Sequence, residues 1–256
     1  MLQPLNGRPL VGVLGGMGPA ATADFYTKLI RRTPAAEDQE HVPVVIWADP
    51  TVPDRVSSVR DRTDVAYPAL LYGAERLRDA GATVVAIPCH TAHFFLERLQ
   101  RDSGMPFIDM VGETVSVVAG RRNQGGRVGL LATLGTLDTG LYQDRFADAG
   151  VQCLVPHREM QEQVAQAIAL VKSGRARSAS ALVDRAVGHL REVGADIVVL
   201  ACTELPLALA GSDAEHGDTV VDPTDLLAAA VVREWVRSKH APEPCRRAQC
   251  DLKSSI

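Results

Sequence analysis

The sequence predicts an α/β protein made of two pseudo-symmetric lobes, each a mostly parallel sheet flanked by helices, with a cleft between them. Three observations carry this expectation. Short Val/Ile-rich runs alternate with stretches of helical spacing, the pattern of parallel sheets with helical crossovers. The same order of landmarks occurs twice along the 256 residues. Each copy ends one of its strands with a cysteine, in IPCHTAH (87–93) and in VLACTEL (199–205).

The elements follow in order. VGVLGG (11–16) is a β-branched apolar run closed by glycines, so a buried strand entering a turn. ATADFYTKLIRR (21–32) has helical spacing, with Phe25, Leu29 and Ile30 on one face. VPVVIWA (42–48) is a second strand, and the two prolines of DPTVPDR (49–55) keep that loop out of a helix. Residues 64–80 read as a helix ending at Gly81. TVVAIP (83–88) is a third strand and TAHFFLERLQ (91–100) the helix after it. The alternation continues to the end of the chain.

The repeat is spelled out by three landmarks. VGVLGGMG aligns with VGLLATLG, Gly12 on Gly129; DAGATVVAIPCHT aligns with EVGADIVVLACTE, Cys89 on Cys202; PFIDM aligns with TVVDP, Asp109 on Asp222. One order at nearly one spacing suggests an internal duplication, with each unit too long for a solenoid repeat. The expected first lobe is residues 1–118 with 221–240, the second 119–220. The polar tail 241–256, with Cys245 and Cys250, is expected to be disordered.

Composition narrows the function. The chain is 46% hydrophobic and 23% charged with a net charge of −4, ordinary for a soluble globule. No basic stripe points to nucleic acid. Residues 1–9 do not read as a signal peptide, no apolar run is long enough for a bilayer, and five irregularly spaced cysteines read as reduced thiols. A cytoplasmic protein is expected.

Ligands of open parallel sheets bind beyond the carboxyl ends of the strands, where Cys89 and Cys202 both fall. Two lobes facing each other there would let the two thiols approach one ligand from opposite sides. Inverting a carbon centre requires a base on one face and an acid on the other. A thiol suits both roles, because its pKa of about 8.5 is readily lowered by a helix N-terminus or a cation. Most cysteines are small buried hydrophobes, and that is the reading for Cys153. Cys89 and Cys202 are set apart by placement and symmetry.

GVLGGMGPAATADFY, DPTVPDR, IPCHTAH, VGLLATLGT, ACTELPL and VVDPTDLL together resemble the aspartate/glutamate racemases, the aspartate branch above all, over residues 10–236. The resemblance implies two α/β lobes, no cofactor, no metal, a small acidic amino-acid substrate and a homodimer. It implies Cys89 and Cys202 as the catalytic pair. Thr91, Thr203 and Thr133 are implied to bind the α-carboxylate, Met17 of GGMGP and His90 to border the substrate, and Arg55 and Lys172 to engage the side-chain carboxylate. Arginine's planar fork suits a carboxylate. Taken by its position alone, Lys172 at a helix end reads first as a partner of the helix dipole, and it is the resemblance that gives it the substrate role. Glu204 after the second Cys-Thr resembles the aspartate branch, whereas His90 departs from the family's usual asparagine.

Other readings leave weaker marks. The first glycine cluster is G-x-x-G-G-x-G, not the dinucleotide fingerprint, and no G-K-[ST] occurs. Cys89 and His93 stand four apart as zinc ligands can, but too few ligands are local, and His93 is expected to anchor the helix start. A glutamate or broader-specificity racemase, a superfamily decarboxylase or cis–trans isomerase, and a non-catalytic amino-acid-binding protein complete the alternatives.

Overall fold

Every strand pairing in the computed structural model is parallel. The structure describes residues 9–121, 126–210 and 216–239, so Cys245, Cys250 and the 241–256 tail lie outside the described residues. Within them no helix is long and apolar enough to cross a membrane.

The first half runs β1 (Val11–Gly15), α1 (Pro19–Arg32), β2 (Val44–Ala48), α2 (Arg55–Arg60), α3 (Tyr67–Asp79), β3 (Val84–Ala86), a 3-10 turn (Thr91–Phe95), α4 (Leu96–Ser103), β4 (Phe107–Ile108) and α5 (Met110–Gly120). The second half runs β5 (Arg127–Ala132), α6 (Leu134–Asp138), α7 (Gln143–Asp148), β6 (Gln152–Leu154), α8 (Arg158–Lys172), α9 (Ala176–Glu192), β7 (Ile197–Ala201), α10 (Leu205–Leu209), β8 (Val220–Val221) and α11 (Pro223–Lys239). The sheets are ordered β2-β1-β3-β4 and β6-β5-β7-β8, the same topology twice.

The aligned glycines have a packing reason. A Cβ on Gly12 would stand 3.0 Å from the Cβ of Ala82 and 3.3 Å from that of Leu77; one on Gly129 would stand 3.0 Å from the Cβ of Leu190 and 3.1 Å from that of Ala195. In both sheets the first strand is bare so that the helix before the third strand can press onto it. The aligned aspartates also share a task. Asp109 accepts the N–H groups of Val111 and Gly112 at the start of α5, and Asp222 accepts that of Thr224 at the start of α11.

Each sheet's last helix packs on the opposite sheet. Val111, Val115 and Val118 of α5 join the cluster under β5 and β7, while Leu227, Ala228, Val231 and Trp235 of α11 join Val11 and Val13 of β1. The exchange ties the two sheets together with their carboxyl ends on a common side of the seam. The other faces are covered by α3 and α4 on the first sheet and by α8, α9 and α10 on the second.

Three local expectations change. Ile30 is 42% exposed, and the buried stripe of α1 is Ala21, Thr22, Phe25, Lys28 and Leu29. Lys28 can enter it because Asp24 and Asp222, the latter at 2.6 Å, take its charge. Residues 91–95 wind as a 3-10 turn before the α-helix begins. Cys153 is only half-buried, since β6 is an edge strand.

Candidate active site

In each sheet the chain reverses its direction of travel between the first and third strands, and crevices form at such reversals. Met17 follows β1 and Cys89 follows β3; Thr133 follows β5 and Cys202 follows β7. The two crevices open onto one cavity of about 20 Å³. Cys89, Cys202, Met17, Thr133 and Thr203 line it, as do Arg55, His90, Thr91 and Lys172, so it brings together all nine residues that the sequence nominates. Two larger hollows, of about 390 and 450 Å³, lie elsewhere and contain no cysteine. Chemistry, not size, singles out the small one.

Its volume has room for roughly one water. One wall of the cavity is α2. Its Val56 packs so tightly on α6 that a Cβ at Gly135 would be 2.9 Å from the Val56 Cα, and Arg60 pairs with Asp138 at 2.8 Å. That ion pair is exposed and adds little to stability.

The two thiols are both almost fully buried, at 6% and 5% exposure. Burial pushes the Cys89 thiol up, and the Arg55 guanidinium beside it draws it part of the way back. Burial pushes the Cys202 thiol well up, the Glu204 carboxylate adds to this, and Lys172 opposes it. The Cys202 thiol donates to Glu204 Oε2 at 3.1 Å, and the Thr203 hydroxyl donates to the same oxygen at 3.2 Å. Cys89 therefore has a cation beside it and Cys202 a proton acceptor.

Around the thiols, each position is fixed by its own local structure. Asp54 caps α2 by accepting the Ser57 N–H at 2.8 Å, and Arg55, the first residue of α2, gives Nη1 to the carbonyls of Val52 and Pro53 at 3.0 Å each. Lys172 is the exposed last residue of α8, whose buried stripe includes Val164, Ile168 and Val171. Thr133 caps α6, and its hydroxyl forms a triangle with those of Thr91 and Thr136 at 3.0–3.1 Å, joining the two sheets across the cavity. His93 is buried, with Nδ1 2.9 Å from the Cys89 carbonyl and Nε2 3.3 Å from the Met110 N–H. The amide can only donate, so Nε2 is bare and Nδ1–H donates to the carbonyl. Burial holds the ring below the usual histidine range, and as a neutral ring it ties the Cys89 turn to the start of α5.

Comparison with known proteins places this geometry. The profile of the Asp/Glu/Hydantoin racemases matches residues 14–231. The chain belongs to the Asp/Glu/hydantoin racemase family. The racemase is 26% identical over 232 residues to the broad specificity amino-acid racemase RacX of Bacillus subtilis, spanning 89% of this chain and 98% of that one. It is 35% identical over 189 residues to a glutamate racemase of Deinococcus radiodurans, covering 71% of this chain but 58% of that one. The solved structure of an aspartate racemase from Picrophilus torridus superposes with a TM-score of 0.78 at 29% identity, covering 89% of this chain and 94% of that one. Two α/β lobes with paired parallel sheets are thus the family fold, and the enzyme is an isomerase of the amino-acid racemase kind.

The racemase's cavity also contains residues that sequence reading did not nominate. Glu204, Asp54, Val56 and Ala201 line it, and Thr136 and Tyr142 stand directly behind its lining. Glu204 had a signal, standing two residues after Cys202 in CTE, and Thr136 closes the quoted ATLGT. Tyr142 had none. It reaches His90 only because α7 folds under β5.

Proposed function

We propose that this racemase interconverts the enantiomers of an acidic amino acid, aspartate foremost, without pyridoxal phosphate. Cys89 and Cys202 act on opposite faces of Cα. One sulfur, as thiolate, takes the Cα proton, and the electron pair is held on the carbon and its carboxylate. The other, as thiol, delivers its proton to the opposite face, so the centre inverts and the thiolate has changed sides. In the reverse direction the roles exchange. Glu204 is positioned to receive the Cys202 proton, and Arg55 to stabilise Cys89 as thiolate.

The observation that carries the reading is the meeting of two buried thiols, one from each sheet, in one cavity that also holds Arg55 and Lys172. A dianionic substrate needs those cations, and the hydroxyls of Thr91, Thr133 and Thr203 are suited to its α-carboxylate. The homodimer implied by the resemblance and the cytosolic setting expected from the cysteines belong to the same proposal. A broader substrate range is the second reading, favoured by the likeness to the broad specificity racemase and by His90.

A panel of both enantiomers of acidic and neutral amino acids, with no pyridoxal phosphate added, tests the assignment. Loss of optical activity is expected with aspartate first. Carbon dioxide release would identify a decarboxylase, binding without loss of rotation a binding protein, and equal rates on neutral amino acids the broader enzyme.

A further inference from the structure

Glu204 lines the cavity and is only 4% exposed. A carboxylate taken out of water calls for a cation, yet Glu204 makes no ion pair among the described residues. Its local structure gives it no other task. It stands at the capping position of α10, but its side chain makes no capping hydrogen bond. Oε2 accepts the Cys202 thiol at 3.1 Å and the Thr203 hydroxyl at 3.2 Å, and Oε1 takes part in neither bond. Oε1 faces Gly18 at the start of α1, where an added Cβ would be 3.3 Å away.

The other groups of the lining differ. Asp54 is exposed to water, and its Oδ1 accepts the N–H and the hydroxyl of Ser57. His90 has Nε2 buried without a partner, but burial keeps its ring neutral, so it brings no charge to balance a cation. Glu204 is thus the buried, uncompensated anion of the cavity.

An amino acid supplies the missing cation. The sulfur that acts on Cα must stand against that carbon, and the α-ammonium nitrogen is bonded to it. With Cys202 Sγ 3.1 Å from Glu204, the ammonium comes within hydrogen-bond reach of the same carboxylate. We infer that Glu204 is the specificity-determining partner of the substrate's α-ammonium group, through Oε1, while Oε2 keeps its place toward Cys202. The inference rests on the amino-acid reading above and adds the group that distinguishes an amino acid from a plain dicarboxylate. It also bears on the chemistry. Burial holds the Cys202 thiol up and the Glu204 charge adds to this, so an ammonium that offsets the charge makes Cys202 easier to ionise.

Equilibrium binding to the intact enzyme tests it. Racemic aspartate, whose composition the enzyme cannot change, is compared with succinate, which keeps both carboxylates but lacks the ammonium. The native enzyme is expected to prefer aspartate by about tenfold or more, the range of a hydrogen bond to a charged group. Glu204→Gln keeps the size of the side chain and removes its charge. It is expected to weaken aspartate by about tenfold or more without weakening succinate. Glu204→Asp, which keeps the charge but draws it back, is expected to hold an intermediate preference. A merely structural role would weaken both ligands alike. No preference in the native enzyme, equal losses in Glu204→Gln, or a preference lost in Asp54→Asn instead overturns the assignment. Should thermal unfolding show that Glu204→Gln does not fold, the native preference and its reduction in Glu204→Asp decide. An enzyme that racemises aspartate without this preference rejects the inference alone. A Glu204-dependent preference without racemisation rejects the two-thiol reading alone.

Discussion

Cys89→Ala and Cys202→Ala are each expected to lower aspartate racemisation by about a thousandfold or more, the upper range of what one acid–base group contributes. The loss should be equal whether D- or L-aspartate is the starting material, because every turnover needs one sulfur to take a proton and the other to give one. Each cysteine lies at a sheet's carboxyl edge as a small buried side chain, so alanine leaves the surrounding fold in place. Thermal unfolding followed alongside polarimetry separates lost chemistry from lost structure. Full activity in either folded variant would reject the two-base assignment. A decarboxylase that depends on one thiol would tolerate loss of the other.

Arg55→Ala has the second large effect, and it has two separable parts. The ratio of kcat/KM for aspartate to that for a neutral amino acid is expected to fall by about a hundredfold, as when one partner of a buried charge pair is removed. Arg55 also draws the Cys89 thiol down against its burial, so its removal lets the thiol rise further. The thiolate fraction at neutral pH then falls for every substrate, and the rise of kcat/KM with pH moves to higher pH. Complete pH profiles with both substrate classes resolve the two. Equal losses on acidic and neutral substrates, with the pH profile unmoved, would make Arg55 scaffolding for the Val52–Pro53 turn.

The features legible in the sequence were those set by backbone pattern. Gly12 and Gly129 could be aligned because each lies where a helix presses on a first strand, a constraint that only glycine meets in both halves. Cys89 and Cys202 could be paired because strand ends and topology fix where a parallel sheet holds its ligand. The parts that stayed hidden depend on tertiary partners. Lys28 displaces Ile30 from the buried stripe of α1 because Asp222, almost two hundred residues along the chain, accepts its charge. Tyr142 reads as any aromatic residue at a helix start until α7 sets it against His90. Glu204 was visible as a marker of the aspartate branch, but its hydrogen bond to Cys202 exists only in three dimensions.

The central claim is that the proton removed from Cα and the proton returned to it belong to different sulfurs on opposite faces. Its most direct test is the early course of the reaction in deuterated water, started from a single enantiomer of aspartate. The account predicts that the product enantiomer carries deuterium at Cα from the first turnovers, while the unreacted starting enantiomer retains protium. Deuterium entering the starting enantiomer as fast as the product, or product that retains the original protium, would contradict it.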